Sequence, residues 1–287
     1  MHPLASPAQV DPATNGFRLT LTSGTPVTTA DATGATTIYL SPFTGDRIAL
    51  YDGTAWALLA SAEIPVALGT LTNGIGYDVF AYNNSGVLAG EVLAWTNATA
   101  RATALVRTNG VLLKTGALTR RYVGSFYATS TTATADAEGQ RFLFNADNRV
   151  PRRLFKHDNT DSWTYATAAF RSWNNSTANR VEVFRGLDEE PLALTFNGHI
   201  GTAPTSNGGS IGIGIDSTTV STADATGNFG NISFSTIATV AYGNLPGLGY
   251  HYAQMLEYGS TNTVTFLGDN GSTDRRVYSA IVGSCLA

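Results

Sequence analysis

An all-β chain of two domains is what the sequence predicts, and three observations predict it. Only 13% of its 287 residues are charged, while Thr, Ala, Gly, Ser and Asn fill the polar positions and aromatics reach 10%. That mixture suits strands joined by tight turns. Short apolar runs follow one another at close spacing, each bounded by Gly, Asn, Asp or Pro. The length is ample for two cores of ordinary size. The expected architecture is an N-terminal β-sandwich-like domain with one short helix, followed by a C-terminal jelly-roll-like sandwich.

The first sixteen residues, "MHPLASPAQVDPATNG", carry Pro3, Pro7 and Pro12, which argue against a regular element. Residues 1–16 therefore read as an extended arm that either docks on a partner or frays. They show neither a basic nor an apolar leader segment, and no run of about eighteen apolar residues follows anywhere. Synthesis in a cytoplasm without membrane insertion is the expectation.

The N-terminal β domain, 17–150, opens with "FRLTLT", "TTIYLS", "RIALY" and "WALLA", then "YDVFAY" and "VLAGEVLAW" around the turn residues "NNSG". In "RIALYDGTAW", a three-residue loop Tyr51-Asp52-Gly53 with a left-handed glycine would put Ile48, Leu50, Trp56 and Leu58 on one face, which makes Trp56 a core residue of the N-terminal sandwich or a subunit contact. "NATARATALVR", Asn97 to Arg107, is the one helix candidate, with Thr96 or Asn97 able to cap its first turn. Asn109-Gly110 between two apolar runs predicts a hairpin. Long strands resume at "RRYVGSFYAT" and "RFLFNA".

Pro151 interrupts the pattern in "NRVPRRLFKHD", so the boundary is placed near 150. The C-terminal domain, 151–287, then supplies about eight strands, the number of a jelly roll. Its loops "TAPTSNGGS" and "DSTTVSTADATGN" are long and polar, suited to binding or to spacing.

Catalytic apparatus is thin. His2, His157, His199 and His251 are scattered without metal-ligand spacing, and no nucleophile elbow, phosphate loop or dinucleotide fingerprint occurs. No cofactor or metal is expected. Asp188, Glu189 and Glu190 form the one acidic run; two carboxylates could serve glycan hydrolysis, but before Pro191 they read as a solvated turn. "GDNGSTD" reads as an Asx-type turn, lacking the spacing of a calcium loop. Cys285 is the sole cysteine, so no intrachain disulfide forms.

Candidate binding residues are aromatic. Trp163, Tyr165 and Trp173 in "SWTYATAAFRSW", with Tyr250 and Tyr252 in "GYHYAQ", could stack on sugar rings; core packing is the competing use for most of them. Lys114 and Lys156 are the only lysines among seventeen basic residues. The cluster Arg149, Arg152, Arg153 and Lys156 is a candidate interface, able to form a salt-bridging seam or grip an acidic glycan. With a net charge of -4 the chain has no field favouring nucleic acid.

Several blocks in one order resemble a family of virion proteins of tailed phages and prophages: "GDRIALYDGTAW", "VALGTLTNGIGYDVFAYNNSGVL", "EVLAWTNATARATAL", "TRRYVGSFYATSTT", "NRVPRRL", "DSWTYATAAFR", "GIGIDSTT", "GYHYAQMLEYG" and "GDNGS". The similarity spans about residues 30 to 275. It implies a β-rich homotrimer on the virion surface, attached to head or tail through its N-terminal region. It also implies the kind of module found in head fibres, head spikes and tail fibres, including those of phage-derived gene transfer agents. Host-surface capsule or glycan would be its contact. No catalytic residue is implied, and the expected class is structural rather than enzymatic, with a lectin-like carbohydrate-binding module as the second reading.

Overall fold

A computed structural model of the chain describes residues 10–203, 208–224, 227–230, 235–260, 263–271, 273 and 275–287. Among these the chain is almost wholly strand, and the single helical element is a 3-10 turn at Trp173–Asn175. It divides into two compact units, Met1–Asp136 with Phe142–Arg149, and Ala137–Arg141 with Val150–Ala287. The second unit thus takes five residues from ahead of the boundary near 150. The reason is local: Gln140–Arg141 pairs in parallel with Arg180–Arg185, setting Gln140 against Glu182.

In the first unit, Phe17–Thr20, Thr37–Pro42 and Ile64–Ala67 form an antiparallel sheet in that order. A larger sheet runs Val87–Ala94, Gly76–Asn84, Ala117–Tyr127, Val111–Lys114, Leu105–Thr108, and Leu143–Asn145 pairs with its central strand. Leu19, Ile38 and Leu40 of the small sheet meet Val79, Ala81, Val123 and Phe126 of the large one in a single apolar cluster, the layered core of a sandwich. Each fully buried Leu, Ile, Val or Phe side chain of this cluster contributes about 1.5–3 kcal/mol. Two hairpins of this sheet follow their turn chemistry: Ser85-Gly86 links Asn84 to Val87, and Asn109-Gly110 links Thr108 to Val111, with positive φ at all four turn residues.

Two expectations for this unit are corrected. No helix forms from Asn97 to Arg107. The Asn97 side-chain oxygen accepts from the backbone N–H groups of Thr99 and Ala100, both at 2.8 Å, closing an Asx turn, and Leu105–Thr108 is a strand. Trp56 is not a core residue. The loop holds four residues, Asp52 to Ala55, tied by the Asp52 carboxylate to Thr54 and Ala55, so Trp56 pairs with Tyr51 on the face opposite Ile48 and Leu50. Its ring lies half-exposed against Tyr51, and its N–H donates to Asn109 Oδ1 at 3.1 Å.

Residues 1–9 of the expected arm lie outside the described residues. Asp11 to Gly16 are docked rather than free. Thr14 O accepts from Ala49 N, Gly16 N donates to Arg47 O, and Gly16 O accepts from Phe43 N and Thr44 N. Only glycine fits at 16, where a Cβ would lie 2.4 Å from Gly45 O. The Arg121 guanidinium, 2% exposed, donates to the carbonyls of Pro12, Ala13, Thr14 and Ala49 and pairs with Asp147 at 3.2 Å.

The second unit has two sheets. One runs Gln140–Arg141, Arg180–Arg185, Gly249–Tyr258, Gly209–Ile215, Gly227–Phe229, with Phe170–Ser172 also on Gly249–Tyr258. The other runs Pro151–His157, Ala280–Leu286, Leu192–Thr202, Val264–Leu267, Ser162–Tyr165, with Thr236–Asn244 on the other edge of Leu192–Thr202. Pro151 starts its strand rather than breaking it, a position where the missing N–H costs nothing. Long strands alternate between sheets from Arg180 onward, the winding of a jelly-roll-like sandwich. Val181, Val183, Ala253 and Met255 meet Leu194, Phe196 and Ile281 in its core. Of the two expected long loops, 204–207 and 225–226 lie outside the described residues, while Gly209–Ile215 and Gly227–Phe229 are paired strands.

Candidate functional site

The period of two along "RVEV" and "GYHYAQ" decides what faces outward. With Val181 and Val183 committed to the core, Arg180 and Glu182 point away from it, and so do Tyr250 and Tyr252 on the neighbouring strand. Register sets Glu182 opposite Tyr252 on one side and Gln140 on the other. Glu182 is the hub. It accepts from Gln140 Nε2 at 2.7 Å, from Arg180 at 2.8 Å and from the Tyr250 hydroxyl. The Arg180 guanidinium lies 4.7 Å over the Tyr252 ring, and the two tyrosine rings are 6.5 Å apart.

These groups edge a cleft of about 400 Å³ lined by Ala137, Gly139, Gln140, Lys156, Thr177, Ala178, Arg180 and Glu182. Tyr250 and Tyr252 are half-buried beside it. The Lys156 ammonium makes no hydrogen bond or ion pair with any described residue. An amide, a carboxylate, an ammonium, a guanidinium and two rings around a small opening can hold a polyhydroxylated ligand, hydroxyls on the polar groups and a ring face against an aromatic one. Of these groups, Tyr250, Tyr252 and Lys156 were expected to function. Gln140, Thr177, Arg180 and Glu182 were missed; the alternation in "RVEVFR" signals that Arg180 and Glu182 face outward, but only the long-range pairing of Gln140 brings the set together.

Of the other aromatic candidates, Trp173 is withdrawn into the core, while Trp163 and Tyr165 stay half-buried away from the cleft lining. Trp173 is fully buried and meets Trp163, Phe196 and Phe266 edge-on, so its expected role as a glycan contact is corrected. Asn174 and Asn175, both at positive φ, make the turn that carries it inward. Trp163 is half-buried, donating to Glu257 at 2.6 Å, and Tyr165 is covered by Arg171 at 3.9 Å. Burial pushes the Glu257 carboxyl above the usual range, and Trp163 and Arg171 pull it back.

The basic cluster is not one patch. Arg149 belongs to the first unit, stacked over Phe144; Arg152 is buried; Arg153 is exposed and pairs with Glu138 at 2.6 Å. Consecutive strand residues face opposite sides, which disperses Arg152 and Arg153. Asp188 and Glu189 are exposed and Glu190 half-buried, and none lines the cleft. In "GDNGSTD", Asp269 accepts from Gly271 N at 3.0 Å, an Asx turn; Ser272 and Asp274 lie outside the described residues. His251 is buried against Asp216 at 2.6 Å, and Cys285 is a buried free thiol. Among the described residues no group of three or more His, Cys, Asp or Glu is placed to hold a metal ion, and no helix is long and apolar enough to cross a membrane.

Comparison with models of known protein families finds none that matches this chain, and comparison with curated proteins likewise finds no match.

Proposed function

We propose that the protein is a virion structural component of a tailed phage or gene transfer agent, a head or tail fibre or spike part whose second unit attaches to surface glycan. The observation that carries the glycan half is the cleft: Lys156, Arg180, Glu182 and Gln140 converge on an opening flanked by Tyr250 and Tyr252. The virion half rests on the sequence blocks that resemble phage virion proteins, and with it go the homotrimer, the contacts to other head or tail proteins through the N-terminal region, and the place on the particle surface. A β scaffold with many short loops suits a part that must be rigid and exposed. Binding by the cleft alone also fits a lectin-like module acting outside a particle, and the same experiment separates the two.

Antibody labelling of particles in the electron microscope, wild type against a deletion of the gene, should show label on the surface that the deletion removes. Unlabelled particles, unchanged by the deletion, would refute the virion role. Binding of the purified chain to a glycan array with that result would leave the lectin-like module standing.

A further inference from the structure

We infer that the cleft of the second unit selects an anionic sugar, one bearing a carboxylate or sulfate, and that Lys156 is the group that selects it. The inference rests on the glycan reading of the same cleft and adds the charge of the ligand. Of the two lysines, Lys114 is spent in an ion pair with Glu91 at 2.5 Å, and Arg120 joins it on the same carboxylate. Lys156 has no such partner, although it is half-buried and lines the cleft. An ammonium that gives up part of its hydration in a cleft without gaining a carboxylate is a donor waiting for an anion.

The charges around it are already matched. Arg180 is held by Glu182 at 2.8 Å, and Glu138, between the lining residues Ala137 and Gly139, is held by Arg153 at 2.6 Å. Lys156 is therefore the cation left over, which gives the cleft a net positive charge in a chain that is acidic as a whole. One point charge with three donors fits a single carboxylate or sulfate on a sugar better than a run of phosphates, which calls for a row of cations. The volume is near the lower end of the range for ligand pockets, about 300–1,000 Å³, so the cleft takes a short stretch of a chain rather than a long one. Glu182, accepting from three donors already, has about one acceptor site left, on Oε2, for a sugar hydroxyl, and Tyr252 supplies a ring beside it.

The test is titration calorimetry of the full chain with a galacturonate oligomer, its neutral methyl ester and a sulfated oligosaccharide, at low and raised salt. The acidic or the sulfated ligand, whichever group the cleft prefers, should bind about tenfold tighter than the ester, and the gap should narrow as salt screens it. Lys156→Met should bring that ligand down to the level of the ester at unchanged melting temperature, and Lys156→Arg should keep most of the preference. Tyr252→Ala should weaken charged and neutral ligands alike. Equal binding of all three ligands by the wild type overturns the selectivity and leaves the glycan site intact. Binding of none of them, or a Lys156→Met protein with undiminished preference, overturns the inference, the former taking the glycan reading with it.

Discussion

Asp78 in the first unit and Glu182 in the second are built from the same parts, a carboxylate held by an arginine within reach of a tyrosine hydroxyl. Around Asp78 the set is closed. Arg101 reaches it at 2.9 Å, Ser125 donates at 2.7 Å, Arg101 also donates to Tyr122 and lies 4.6 Å over Trp95, and Asp78 is 1% exposed. Burial pushes the Asp78 carboxyl upward while Arg101 pulls it back, and both burial and the Asp78 charge push the Tyr122 hydroxyl up. Around Glu182 the set is open, because one side of it is a cleft whose lining also holds an unpaired cation, Lys156. The difference teaches that the residue types do not distinguish a structural cluster from a binding one. What distinguishes them is whether every donor has already found its acceptor within the fold.

The comparison breaks first at Asp78. Asp78→Ala strands the Arg101 charge in the core and is expected to destabilise by about 3 kcal/mol or more, read as a lower urea midpoint at unchanged slope. A loss under about 1 kcal/mol would mean that the closed cluster is no more structural than the open one. Next, Arg121→Met removes the donor shared by four carbonyls and is expected to cost about 2 kcal/mol, with faster hydrogen exchange at residues 12–16.

Acid should separate the units. His157, His199 and His251, all the described histidines, lie in the second. Burial holds His199 below its ordinary value, and burial together with Lys156 and Arg275 does the same for His157. Both bind protons more weakly in the fold than in the unfolded chain, which takes them up near pH 6.5, so stability is lost as pH falls through that range. Exchange protection of second-unit strands should therefore drop between pH 7.5 and pH 5.5, by less in a His199→Asn variant, while Gly76–Asn84 holds. The smallest effect on stability should come from Glu182→Gln, under about 1 kcal/mol, yet it should weaken sugar binding severalfold by calorimetry. A large stability loss there would make Glu182 a second Asp78.

Strands were legible wherever local signals agree. The two-residue turn Asn109-Gly110 is readable because Asn-Gly accepts positive φ at both positions, and "NNSG" marks the other hairpin, though its turn is Ser85-Gly86 with Asn83 and Asn84 in the strand. Asn97 misled because a residue that caps a helix also closes an Asx turn, and the outcome depends on whether the next residues have a sheet to join; Leu105–Thr108 did. Trp56 misled because a one-residue difference in loop length turns every side chain of a strand over. In the site, Tyr250 and Tyr252 were visible from alternation on a single strand. Gln140 was not, because its partner Glu182 lies on a strand that pairs with it in parallel, and no local pattern encodes that pairing.

The docked segment Asp11 to Gly16 has a mechanical meaning. Tension on the chain ahead of it would meet, in order, Pro12, Ala13 and Thr14 on Arg121, then the bonds of Thr14 and Gly16 to Ala49, Arg47, Phe43 and Thr44. These bonds share the load before any of it reaches Phe17, the first residue of the core. The arginine works as a strain relief, the clamp that keeps a tug on a cable from reaching the solder joint.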